Sequence, residues 1–133
     1  MADPAGHAEH VGSPRIAAAG ALLAFAGVLV GAMGAHALRT RLDADHLSIF
    51  ETAVRYHMWH AIALVAIGMS PAARSREMIA PASLLIAGIA LFSGSLYVLA
   101  LGGPRWAGMI TPLGGLSFMA GWLTLALAVR ARA

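Results

Sequence analysis

Between Arg15 and Arg39 the chain carries no charged residue. The run from Ile16 to Leu38 is about 23 residues long, and at about 1.5 Å per helical residue it matches a bilayer hydrocarbon core of roughly 30 Å. Comparable runs follow at Met78–Leu101 and Trp106–Val129, and the stretch after Arg55 stays uncharged to Met69. The sequence therefore predicts an all-α, four-helix transmembrane bundle with spans at about 16–38, 49–69, 79–101 and 107–129. Residues 1–15 form a polar tail, and 16–132 a single membrane domain. Composition requires the same solvent. Of 133 residues, 59% are hydrophobic and 11% charged, with mean hydropathy +0.76. A soluble domain carries about 25% charged residues, and a chain this short could not hide so much apolar surface from water.

The polar connections punctuate these runs. Arg39 to Leu47 joins the first two spans, Ser70 to Glu77 the next two, and Gly102-Gly103-Pro104-Arg105 reads as a tight turn. Asp45 or Ser48 is the expected cap of the second helix, whose first ten residues are amphipathic and suit the membrane interface. Pro112 is expected to kink the fourth helix near its start. Ala35-His36-Ala37 mimics a signal-peptidase site, but the apolar run before it is longer than a signal core and reads as a span. Four spans place both termini on one side. That side holds Arg15, Arg74, Arg76, Arg130 and Arg132, against Arg39, Arg41 and Arg105 opposite, with Arg55 a fourth where it reaches the surface; five against three or four favours cytoplasmic termini.

The chain has no Cys, which excludes disulfides and thiolate chemistry. All nine basic residues are Arg, and all but Arg55 sit near helix ends rather than in a stripe, so nucleic acid is not an expected partner. In the polar tail, His7 and His10 are a weak metal motif.

The densest chemistry lies in Phe50-Glu51-Thr52-Ala53-Val54-Arg55-Tyr56-His57-Met58-Trp59-His60. Ionisable groups in or beside a membrane are costly and mark functional sites by default. Glu51 and Arg55 are i,i+4 and share a face in the favourable order. With Tyr56 and Tyr97 they are candidates for binding a ligand or lipid headgroup, Arg supplying bidentate contacts to phosphate; the plain alternative is an ion pair easing charge at the interface. His57 and His60 are i,i+3, and His36 ends the first span on the same membrane side. The imidazoles admit three readings: polar groups satisfied across the bundle, a metal or haem site built from His36, His57 and His60, or proton and quinone handling. No cofactor is expected outside the second and third readings. Small and hydroxylic residues (Gly27, Gly31 and Gly34, then Ser93, Gly94 and Ser95, then Thr111, Pro112, Gly114 and Gly115) predict close helix packing.

Four ordered stretches carry a resemblance: Gly34-Ala35-His36-Ala37-Leu38, Phe50 to Ala61, Leu91-Phe92-Ser93-Gly94-Ser95-Leu96-Tyr97, and Ile110-Thr111-Pro112-Leu113-Gly114-Gly115. The chain resembles the small membrane proteins of domain of unknown function 423, a group of YgdD-like bacterial proteins related to the animal transmembrane protein 256. The resemblance spans about residues 16–130. It implies a four-helix integral membrane protein and no established activity. His57 departs from it, since the family pattern has Gln there, which weakens any role carried over to that residue.

The expected function is non-enzymatic: a small accessory or assembly subunit of the bacterial inner membrane, packing against lipids, other membrane proteins or itself. A membrane metal, haem, quinone or proton-handling protein using the three histidines is one alternative. An oligomeric small-solute transporter is the other.

Overall fold

The computed structural model describes residues 12–132, and all regular structure among them is helical. Helix α1 (Pro14–Met33) passes into a π-helical turn (Gly34–Leu38), and α2 (Ala44–Met69) returns along it. Two 3₁₀ turns, Pro71–Arg74 and Arg76–Met78, lead into α3 (Ile79–Gly88). A second π-helical turn (Ile89–Ser93) joins α3 to α4 (Gly94–Ala100). A 3₁₀ segment, Arg105–Met109, then enters α5 (Thr111–Arg130). Three of the resulting rods are long and apolar enough to cross a membrane: Pro14–Leu38, Arg76–Ala100 and Arg105–Arg130. The α2 rod is as long but is not among them; its first half carries Asp45, Glu51 and Arg55, and His57 and His60 follow just past its middle.

The helix ends correct several expectations. Asp43, rather than Asp45 or Ser48, caps α2, its carboxylate accepting the His46 backbone N–H at 2.9 Å. Pro112 does not kink a helix; it occupies the first turn of α5, where a missing N–H costs nothing. Helix α1 starts at Pro14, two residues before the expected span. The Ser13 N–H donates to the Gly68 carbonyl at 2.8 Å and Arg74 Nε to the Gly12 carbonyl at 3.3 Å, so residues 12–15 belong to the fold rather than to a tail. His7 and His10 lie outside the described residues.

Two antiparallel hairpins, α1 with α2 and α3–α4 with α5, meet where α2 packs against α4 and the second π turn. Small residues bring α1 onto α2. A Cβ at Gly68 would fall 2.2 Å from the Ala17 nitrogen, and one at Gly20 would fall 2.6 Å from the Val65 nitrogen. The predicted packing residues Gly27, Gly31 and Gly34 continue this contact, opposite Met58, Val54 and Phe50. Gly114 seats on the Phe92 backbone in the other half, whereas Gly94 meets nothing within 4 Å and Gly115 only the edge of the Phe92 ring. The apolar core is Ala61, Leu64 and Ile67 of α2 against Ala82, Leu85, Ile89 and Phe118.

The amphipathic start of α2 does not peel away onto a membrane surface. The helix runs unbroken to Met69, burying Phe50, Ala53, His57 and His60 on one face and leaving Asp45, Ser48, Glu51 and Arg55 on the other.

Candidate functional site

The unbroken α2 sets the depth of each polar side chain. Phe50 lies opposite Gly34 and His57 beside Gly27, so His57 stands about 10 Å deeper than the His36 turn at 1.5 Å per residue. His36 is exposed in the first π turn. The three imidazoles do not converge, and among the described residues no group of three or more His, Asp or Glu side chains is placed to hold a metal ion. The predicted pair Glu51 and Arg55 is exposed and makes no ion contact within 4 Å; the ion pairs among the described residues are His46–Asp43 and Arg132–Glu77.

His60 is the best-held group. Its Nδ1 lies 2.6 Å from the Tyr56 carbonyl, and its Nε2 lies 3.1 Å from the Trp122 indole nitrogen. A carbonyl only accepts and an indole N–H only donates. The proton of the neutral ring therefore sits on Nδ1, and Nε2 accepts. The ring also stacks on Phe118, with centroids 3.5 Å apart and planes at 11°. Tyr56 is drawn into the same cluster, against Trp59 and Phe92 at 5.4 and 4.7 Å, rather than out to a headgroup. Thus one imidazole joins α2 to α5 through a bond, a stack and an aromatic collar.

His57 is held on one side only. Its Nδ1 lies 3.2 Å from the Tyr97 hydroxyl, and the Tyr97 ring packs on Phe50 at 5.3 Å. Tyr97 therefore turns into the bundle, not toward a headgroup. Nε2 of His57 is buried without a hydrogen-bond partner. The Ser93 hydroxyl, in the second π turn, is likewise buried and unpartnered. π turns insert one residue into the helical register and recur at functional sites.

Other polar groups are paired across the helices. Ser95 Oγ donates to the Phe92 carbonyl at 2.9 Å, so its 2.7 Å contact with Thr111 is donated by the threonine. Ser117 Oγ donates to the Leu84 carbonyl at 2.7 Å, tying α5 to α3. Beyond the spans, the His46 backbone N–H and imidazole hold the Asp43 carboxyl below the usual aspartate range.

Three features escaped the sequence reading. The His60–Trp122 bond joins residues 62 apart and has no local signal. The π turns leave no compositional mark. Asp43 as cap was legible, standing three residues before the His46 N–H it accepts.

A family model described as "Protein of unknown function (DUF423)" matches residues 30–115. The UPF0382 membrane protein SSP2132 of Staphylococcus saprophyticus is 46% identical over 108 residues, covering 81% of this chain and 90% of that protein. The UPF0382 membrane protein YwdK of Bacillus subtilis is 38% identical over 111 residues, covering 82% and 90%. The UPF0382 inner membrane protein YgdD of Escherichia coli is 38% identical over 112 residues, covering 83% and 86%. No solved structure matches the chain.

Proposed function

Because the chain belongs to the DUF423 family of membrane proteins of unknown function, we propose that it is a non-enzymatic accessory or assembly subunit. It sits in the bacterial inner membrane and packs against a larger membrane protein or a second copy of itself. In this reading α2 crosses with the other three rods, and both termini are cytoplasmic.

The observation that carries the proposal is the direction of the polar groups. Both ring nitrogens of His60 are taken up inside the bundle, as are the Ser95, Thr111 and Ser117 hydroxyls. Groups so used fix the relative rotation of the helices. The outward faces are apolar, with Leu22, Phe25 and Leu29 on α1 and Met119, Leu123 and Leu127 on α5. These faces support contact with lipid and protein rather than chemistry on a small molecule.

The test is purification in mild detergent, with mass spectrometry of associated proteins on the same peak. A stoichiometric protein partner, or a defined oligomer that tolerates His57→Phe, is the expected result. A lone monomer carrying near-stoichiometric metal or haem refutes the proposal.

A second reading, proton, quinone or metal handling, is favoured by one observation: the buried, unpartnered Nε2 of His57 beside the α1 backbone, and the similarly orphaned Ser93 hydroxyl. An absorbance spectrum and elemental analysis of the same peak address it.

A further inference from the structure

Helix α1 packs along α2, and α3 packs along α5. Between the first turns of α1 and α3 the two hairpins leave a cleft of about 800 Å³. It opens at the end of the bundle that carries both the start of α1 and the 3₁₀ turns before α3, well away from the imidazoles. Its mouth and its wall differ in chemistry.

The mouth is cationic and hydroxylic. Arg15, Arg74, Ser13 and Ser75 line it, and among the described residues no Asp or Glu does. Among the described residues neither guanidinium has a carboxylate within 4 Å. Arg74 is positioned by donating Nε to the Gly12 carbonyl at 3.3 Å, which leaves its outer nitrogens for another acceptor. Ser13, at the N-cap of α1, makes no capping bond with its side chain. The wall beside it is mainly apolar: Ile16 and Ala19 of α1 face Ile79, Ala82 and Ile86 of α3, with Ile79 and Ile86 exposed and the Ser83 hydroxyl between them. From Ile79 to Ile86 this wall runs about 10 Å along the helix.

A cationic mouth over an apolar slot, at a membrane end, matches one class of ligand. We infer that the cleft between α1 and α3 binds an anionic glycerophospholipid, its phosphate between Arg15 and Arg74 and one acyl chain along Ile16, Ile79 and Ile86. Guanidinium recognises phosphate oxygens through paired N–H donors, and basic pockets between helices on the cytoplasmic side take acidic headgroups. The apolar slot selects a lipid over a free phosphate, which gains nothing from isoleucine. The cleft also relocates headgroup recognition from the exposed pair Glu51 and Arg55. The inference rests on the membrane location of the family and not on an accessory role.

The test uses the full chain in mild detergent and native mass spectrometry. The added probes are phosphatidylglycerol, phosphatidylcholine of the same acyl chains, and inorganic phosphate. The wild-type chain is expected to retain phosphatidylglycerol over phosphatidylcholine by roughly thirtyfold, about the discrimination two arginines provide at a membrane surface. Arg15→Gln should remove most of that preference, and Arg105→Gln, at the opposite end, should leave it intact. Ala19→Phe, which fills the slot without touching charge, should lower retention of both lipids. Equal retention of the two lipids, an unchanged preference in Arg15→Gln, or displacement by inorganic phosphate at lipid-like concentration overturns the inference. Circular dichroism on each variant separates lost binding from lost fold. Partner capture is scored separately, so lipid binding and the accessory role fail independently.

Discussion

The two faces of α2 are built differently. Toward α1 the contact is made of small residues and backbone: Gly20 against Ala61 and Val65, Gly68 against Ala17, Gly27 against Met58. Toward α4 and α5 it is made of rings and hydrogen bonds: His60 with Trp122 and Phe118, His57 with Tyr97, Tyr56 with Phe92. In lipid there is no hydrophobic force to drive one apolar helix onto another, so close packing and polar bonds must do it. The first face relies on close packing, which tolerates no added atom. The second relies on directional bonds, which set register but leave some groups, such as His57 Nε2, without a partner.

The largest effect should come from adding one methyl to the first face. Gly68→Ala places a Cβ 2.2 Å from the Ala17 backbone, and overpacking of this kind costs about 3 kcal/mol. Gly94→Ala meets nothing within 4 Å and should be neutral or stabilise by up to about 1 kcal/mol, since glycine is a poor helix former. Reversible unfolding in mixed micelles compares the two; similar losses would mean that small residues in this bundle are not packing devices. Intermediate effects belong to the second face. His60→Phe keeps the ring but leaves the Trp122 N–H unpaired, at about 1–3 kcal/mol. A cycle with Trp122→Phe should then recover part of the loss, with coupling of about 0.6–1.7 kcal/mol. His57→Phe removes an orphaned nitrogen along with one bond and should fall within about 0.5 kcal/mol of wild type. A His57 cost equal to that of His60 would erase the distinction between the satisfied and the half-satisfied imidazole.

The smallest effect lies outside both faces, at the α2 cap. Asp43 has a lowered carboxyl pKa in the folded chain, so its contribution is complete above the unfolded value of 3.8 and fades as pH falls through the lower folded value. The stability gap between wild type and Asp43→Ala should therefore be constant near neutrality and narrow only below about pH 3.8. A gap that changes well above pH 3.8 instead would count against the carboxylate as the cap.

How much was legible from the residues follows the same division. The small-residue face could be read in advance, because Gly27, Gly31 and Gly34 recur at helical spacing and all three do meet α2. Gly94 showed the limit of that reasoning, being small but facing open space. The i,i+4 spacing of Glu51 and Arg55 allowed an ion pair that their exposed side chains do not make. Helical spacing says which residues share a face, not whether a solvated pair forms. The imidazoles were visible as candidates and their roles were not, since Tyr97 and Trp122 reach them from other rods.

What the sequence by itself determined is the set of rods, their turns and the apolar environment of most of them. Those depend on hydropathy and on Gly, Pro and Asp at helix ends, which act over a few neighbouring residues. What only the tertiary structure decided is which histidine is satisfied, which is left with a bare nitrogen, and where a slot opens between Arg15 and Arg74. Those depend on the rotation and offset of helices relative to one another. A π turn shifts that rotation by one residue, and a single glycine contact shifts the approach by ångströms, neither of which periodicity along one helix can report.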